Sequence, residues 1–354
     1  MMTPGRATVI GTGLIGGSVG MALRKQGWSV SAVDADPDVA VRAVTVGAAD
    51  ETGFDEASDL VVIAAPVGVV PELARDALAR CGGVVTDVGS TKLEICRAVD
   101  DPRFVGGHPM AGSEQDGLAG AAEDLFFGAM WVLTPTPSTD EDAFAKVRAV
   151  VRSLGAESLA LAPDVHDQLV AQVSHVPHLT AATLMNMAVE ASVEHQALLR
   201  LAAGGFRDMT RISAGRPSIW PDICVANGRA IVSGLDQLID QLGMVRDLVA
   251  SGDRIGILEL LTSARSARIN LPVGFGPADD LVELAITIPD RPGEIAAIAT
   301  LAAELDVNIY DLEISHSGEG RRGVMVVVVD EGRSERFIGG LMARGYRPSV
   351  RSLQ

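Results

Sequence analysis

Cysteine is scarce in this 354-residue chain: Cys81, Cys96 and Cys224 form no CxxC pair and no metal-ligand spacing. So odd and scattered a set argues against a disulfide framework, and the expected compartment is a reducing cytoplasm. Lysine is scarcer than usual, found only at Lys25, Lys92 and Lys146, and arginine makes up the rest of the 29 basic residues. Against 46 acidic residues this leaves a formal net charge of −17 with no basic stripe to offset it. Such a balance argues against nucleic acid and against anionic membrane surfaces as partners. Long apolar runs are missing too. None approaches the roughly eighteen residues of a membrane span, and no cationic leader precedes the first apolar segment. Aromatics are only 4% of the chain, yet 47% of it is apolar, which supplies cores for two or three domains.

What is present begins at residue 7. An apolar run, Ala7 to Ile10, leads into Gly11-Thr12-Gly13-Leu14-Ile15-Gly16, and a helical pattern continues to about Gln26. A second strand pattern, Trp28 to Val33, closes on Asp34. GxGxxG alone is a weak signal. Between a strand and a helix, with an acid about twenty residues on, it predicts a dinucleotide site. Gly11 permits the tight turn, Gly13 lets the pyrophosphate approach the backbone, and Gly16 lets helix and strand pack closely. The helix start then offers unpaired N–H groups to phosphate charge. Asp34 would accept hydrogen bonds from the ribose hydroxyls and repel a 2'-phosphate, which points to NAD rather than NADP.

The expected fold class is α/β in three parts. Residues 1–162 keep a strand–helix rhythm, with buried strand patterns at 59–65, 83–86, 104–106, 129–133 and 158–162. Continuous apolar strands predict a Rossmann-type parallel sheet covered on both faces. Ligands bind beyond the carboxyl ends of such strands. Three polar loops fall there: Ala65-Pro66-Val67, Asp87 to Lys92, and Gly107 to Glu114. Residues 163–272 read as an all-helical second domain, with Pro177 kinking the stretch from Val165 to Leu201 and Gly204-Gly205 breaking the pattern. Its mostly apolar helices suggest a homodimer. A Pro-, Gly- and Asp-rich linker at 271–280 leads to a compact unit at 281–354 whose strands and helices run βαββαβ, the split-βαβ arrangement.

Among the histidines, His108 carries the sharpest expectation. It sits in a loop at a strand's carboxyl end, where a nicotinamide would project, and an imidazole can accept a hydroxyl proton near neutral pH. His175 and His178 share a helix face; one would touch substrate while the other braces the helix. His166, nine residues before His175, falls on about the opposite face of a regular helix. No third ligand at zinc spacing accompanies them, so no metal is expected. Arg207 and Arg211 follow the glycine pair with Asp208 between them. Two readings stand there: bidentate capture of a carboxylate, or a modest solvated pair with the aspartate.

Taken together, Gly11 to Ser18, Asp87-Val-Gly-Ser-Thr-Lys92, Gly106-Gly-His-Pro-Met-Ala-Gly-Ser-Glu114, Ser174-His-Val-Pro-His178 and Gly204-Gly-Phe-Arg-Asp-Met-Thr-Arg211 resemble the prephenate dehydrogenase family of tyrosine biosynthesis. The tail, with its Asp290-Arg-Pro-Gly293 turn, resembles an ACT domain. The resemblance implies NAD-dependent oxidative decarboxylation of prephenate to 4-hydroxyphenylpyruvate. It makes His108 the catalytic histidine and Ser90 the residue that orients it. It puts His178 in the substrate pocket, with His166 and His175 in the same helix region. Arg211 becomes the carboxylate anchor, with Glu114 and Asp208 at the pocket entrance and Trp220 nearby. Gly11, Gly13, Leu14, Ile15, Gly16, Asp34 and Pro66 would hold the cofactor. The ACT resemblance implies L-tyrosine as an effector. Two alternatives remain: an arogenate dehydrogenase, and an inactive NAD-responsive regulator. A β-hydroxyacid dehydrogenase would need a lysine on the helix after the first domain, which this sequence lacks.

Overall fold

The computed structural model describes residues 4–112, 115, 117–195, 197–270, 281–289, 291–316 and 322–352. The chain divides into two compact units, Met1–Leu242 and Gly243–Gln354.

Among the described residues the first unit contains eight strands: β1 (Arg6–Ile10), β2 (Ser29–Val33), β3 (Glu51–Thr52), β4 (Leu60–Ile63), β5 (Val84–Asp87), β6 (Phe104–Pro109), β7 (Met130–Thr134) and β8 (Glu157–Ala160). They lie in the order β3-β2-β1-β4-β5-β6-β7-β8. From β3 to β6 every neighbouring pair is parallel. The order reverses at β1, which makes the gap between β1 and β4 the topological switch point. Helices α1 (Leu14–Lys25), α2 (Pro37–Thr45), α3 (Val70–Arg80) and α4 (Leu93–Ala98) make the connections. Leu60, Val61, Val62 and Ile63 of β4 are all buried, as a strand covered on both faces requires.

Two expectations are corrected at β6. The sheet is not wholly parallel: β7 pairs antiparallel with β6, and β8, reached through α5 (Glu141–Ser153), runs parallel to β7. Between β6 and β7 the described residues hold a short 3-10 turn, Gly117–Gly120, and the chain doubles back. His108 therefore lies within a strand rather than a loop, because β7 extends the pairing of β6 out to Pro109.

The helical stretch begins with α6 (Pro163–Val170) and α7 (Val176–Glu194), joined by a π-helical turn, Ala171–His175. There the Val176 N–H donates to the Ala171 carbonyl, one residue further back than in an α-helix. Pro177 lies in the first turn of α7, directly after the π-helical turn, within a helical backbone that runs on from α6. Gly204-Gly205 does not break a helix; the pair opens α8 (Gly204–Thr210). Then come α9 (Trp220–Ala226), α10 (Gly228–Ser251) and α11 (Arg254–Ile269), the last two belonging wholly or partly to the second unit.

Beyond α11 the second unit holds β9 (Leu281–Pro289), α12 (Glu294–Glu304), β10 (Ile309–His316), β11 (Arg322–Asp330), α13 (Glu331–Ala343) and β12 (Pro348–Ser352). The strands form an antiparallel sheet in the order β10-β11-β9-β12. Leu284, Ile286, Met325 and Val327 pack with Ile298, Leu301, Phe337 and Leu341 in its core. The linker at 271–280, Asp290 of the Asp-Arg-Pro-Gly turn and the turn at 317–320 lie outside the described residues.

Candidate active site

The glycine turn has the shape its sequence demands. Gly11 has φ +88°, and a Cβ there would lie 2.3 Å from the Ala64 carbonyl oxygen at the end of β4. At Gly16 a Cβ would lie 1.8 Å from the Gly11 oxygen. At Gly13 a Cβ would meet nothing within 4 Å, so the backbone faces open space. Gly13 caps α1 without a side-chain hydrogen bond, and no acid occupies the helix's first turn. Leu14 and Ile15 are half-buried in that turn, and Pro66 is exposed just past β4. Asp34 follows β2; its Oδ2 accepts the Thr12 N–H at 2.7 Å and the Thr12 hydroxyl at 3.1 Å. A bare helix start, an unfilled cradle at Gly13 and a carboxylate steered beside them fit a pyrophosphate and its ribose.

Farther along the same carboxyl edge, β5 and β6 bring up the chemistry. His108 is buried, and its Nδ1 lies 2.9 Å from Nε2 of His166, the rings meeting edge-on at 72°. His166 Nδ1 lies 2.8 Å from Asp167 Oδ1. Asp167 also accepts the Lys92 N–H at 2.7 Å and the Leu93 N–H at 2.9 Å, tying the start of α4 to α6. Burial, with the nearby charges of His166, Lys92 and His175, holds the His108 imidazole well below its ordinary pKa.

Lys92 is itself fully buried and pairs with Asp87, also fully buried. Asp87 additionally accepts the Gly89 N–H at 2.8 Å and the Gly107 N–H at 3.1 Å. A buried ion pair persists only when its remaining hydrogen-bonding capacity is used, and here it fastens the loop after β5 to the residue preceding His108. Ser90, half-buried, lies in that loop. Among the described residues His108 Nδ1 bonds to His166, not to Ser90.

The opposite-face expectation for His166 and His175 is overturned. One extra residue in the π-turn removes about 100° of rotation, so their separation falls from about 180° to about 80°. Both are buried beside Asn227, whose Nδ2 donates to the Asp167 carbonyl at 2.8 Å and to His175 Nδ1 at 3.2 Å. Burial, outweighing the pull of Asp167, lowers the His175 pKa to about 4. His178 stacks on Trp220, and burial lowers its pKa as well. The turn Arg211–Ala214 packs on α7, and a Cβ on Gly215 would lie 3.6 Å from His178 Cε1. Arg211 is thus brought near His178 with its side chain exposed; Asp208 is exposed on α8, and Glu114 lies outside the described residues. Asp167 and Asn227 were not picked out in the sequence, and the loop Asp87 to Lys92 was, but not the buried ion pair between its ends.

A dinucleotide turn and a buried, hydrogen-bonded histidine on one edge of a doubly wound sheet define a nicotinamide-dependent dehydrogenase. Residues 19–160 match the nucleotide-binding domain of prephenate dehydrogenase, and residues 162–263 match its dimerization domain. A prephenate dehydrogenase of Bacillus subtilis (strain 168) is 33% identical over 335 residues, 89% of each chain. A crystal structure of prephenate dehydrogenase from A. aeolicus, in complex with hydroxyphenyl propionate and NAD+, superposes with a TM-score of 0.73 at 27% identity, covering 77% of this chain and 99% of that one. Synechocystis arogenate dehydrogenase gives a TM-score of 0.66 at 29% identity, over 74% and 98%. The chain belongs to the prephenate dehydrogenase family, and it is an oxidoreductase that uses NAD.

Proposed function

We propose that His108 is the base in the oxidative decarboxylation of prephenate to 4-hydroxyphenylpyruvate. The observation that carries this is the bond from His108 Nδ1 to His166, which leaves Nε2 as the nitrogen open to substrate. Bound NAD supplies the hydride acceptor for C4. His108 Nε2 takes the C4 hydroxyl proton as the hydride departs. The carboxylate on the opposite ring carbon leaves as carbon dioxide, and its electron pair passes through the ring to the C4 oxygen. His108 then returns the proton to the phenol. Arg211 holds a substrate carboxylate, His178 and Trp220 form a wall against the ring, and Ser90 bonds the hydroxyl beside His108. Asp208 and Glu114 flank the entrance, and His175 braces His178 from one turn away. Gly11, Gly13, Leu14, Ile15 and Gly16 cradle the pyrophosphate, Asp34 binds the ribose, and Pro66 borders the nicotinamide side.

Steady-state NADH formation with prephenate and with L-arogenate tests this reading. A higher kcat/KM for prephenate is expected; a higher value for L-arogenate would reassign the substrate, and no NADH from either would favour the regulator.

The same reading extends to the rest of the chain. The divisions at 1–162 and 163–272 are supported by the two matched domain ranges, and that at 281–354 by the antiparallel sheet and two helices that share one core. A homodimer is supported by the dimerization-domain match and by exposed Val232 and Ile239 on α10 and Leu258 and Leu261 on α11. Free cysteines support a cytoplasmic enzyme. The tail as an ACT domain that binds L-tyrosine is supported by its strand–helix–strand–strand–helix–strand order. A cavity of about 430 Å³ there is lined by Asp306, Asn308, Tyr310, Asp330 and Arg333, with Arg333 paired to Asp306. Titrating L-tyrosine into the full chain and into one ending at Asn270 tests that role; identical responses would remove it.

A further inference from the structure

We propose that Asp167 and His166 form a positioning pair that locks His108 into its Nδ1–H tautomer, a step that rests on His108 being the base. Asp167 already accepts two backbone N–H groups, from Lys92 and Leu93, and an ionised carboxylate can only accept. The proton between Asp167 Oδ1 and His166 Nδ1 therefore sits on the nitrogen. With His166 carrying that single proton, its Nε2 is a lone pair, and His108 Nδ1, 2.9 Å away, donates to it. One carboxylate thus assigns all four ring nitrogens, and Nε2 of His108 is left as the acceptor. In water a neutral imidazole favours the opposite form, with the proton on Nε2.

The three side chains are buried, His166 completely, which shields the protons from rearrangement by bulk water. Asp167 is itself held at three points: Lys92 and Leu93 pin its oxygens, and Asn227 donates to its main-chain carbonyl. A second consequence concerns charge. Prephenate dianion and NAD+ give 4-hydroxyphenylpyruvate anion, carbon dioxide and NADH, so no net proton is lost. The proton is borrowed by Nε2 and returned to the same oxygen. In between, His108 is an imidazolium whose Nδ1–H bond leads, through His166, to an anion. The pair offsets that charge without having to export it, as a buried aspartate does behind the histidine of a hydrolase triad.

Nitrogen NMR of the full chain labelled with 15N-histidine, without substrate, reads the tautomer directly; His108→Asn assigns the signal. The expected spectrum has His108 protonated at Nδ1 and bare at Nε2. His166→Phe removes the acceptor and should invert that pattern, lowering kcat by about 10²-fold while KM for prephenate and NAD stays within about threefold. His166→Gln, whose carbonyl can still accept from His108, should keep the Nδ1–H form and recover most of kcat. A proton on Nε2 in the unsubstituted chain overturns the proposal, as does an unchanged tautomer with unchanged kcat in His166→Phe. Should His166→Phe fail to fold, the unsubstituted and Gln spectra decide. Because the tautomer is read without substrate, a failure to turn over prephenate would count against the substrate assignment and leave this reading separately testable.

Discussion

His178 stacks on Trp220, ring centroids 3.7 Å apart and planes inclined by 15°, while His175 meets the same indole edge-on at 5.9 Å. One tryptophan from α9 thus gathers two histidines from the start of α7, so the stack is as much a hinge pin for the pocket wall as a surface for a ring. Trp220→Phe keeps an aromatic face and Trp220→Leu does not. KM for prephenate should rise a few-fold in the first and about tenfold in the second, in keeping with about 0.5–1.5 kcal/mol for an aromatic pair. Equal KM values in both would free Trp220 from the pocket.

His108→Asn should reduce kcat by about 10²-fold or more and change KM much less, because the lost interaction is made as the proton moves. Arg211→Ala should do the reverse, raising KM for prephenate with a smaller effect on kcat. Steady-state NADH formation separates the two patterns. Near-normal turnover in the first variant would remove His108 from the chemistry.

Glycine substitutions distinguish cradle from scaffold. A Cβ at Gly13 enters open space, so Gly13→Ala should melt close to the unsubstituted protein yet bind NAD about tenfold or more weakly. Gly16→Ala collides with the Gly11 carbonyl and should lower the melting temperature itself. Calorimetry and NADH fluorescence titration make the comparison.

Asp34→Ser removes the charge that would meet a 2'-phosphate. The ratio of kcat/KM for NAD over NADP should fall by at least about tenfold. An unsubstituted chain already indifferent between the two coenzymes would contradict the role of Asp34.

The buried histidines impose an acid limit on stability. His175, at about 4, and His108, well below 6.5, are both held down chiefly by burial, and His178 is lowered for the same reason. The unfolded chain takes up protons near 6.5 that the native one refuses. Stability from these groups is therefore complete above about pH 6.5 and is lost as pH falls toward about 4. Urea unfolding at pH 7.5, 5.5 and 4.5 should follow that slope, and His175→Gln should flatten it.

Much of this was legible because it is local. Gly11, Gly16 and Asp34 stand within one strand–turn–helix unit, where each residue's task follows from its neighbours. Strand direction is different. The apolar run at 129–133 marks a strand, but nothing in it tells β7 to run backward, and the connection over residues 110–129 is long enough for either direction. Gly107 read as the start of a loop, yet pairing with β7 makes it strand and carries His108 inside. The relation of His166 to His175 was misread because a regular helical angle was applied across a turn of another pitch. The loop from Asp87 to Lys92 stood out for its polar content, but nothing in its sequence says that both ends leave water together as an ion pair.

The turn at Ala171–His175 works like a tooth inserted in a gear. Every residue of α7 is clocked by how that one surplus position is absorbed: the same residues wound as a regular α-helix would carry His175 and His178 about 100° further around the axis from His166 without altering any of them. In this chain the pitch of five residues, as much as their chemistry, decides which side chains meet.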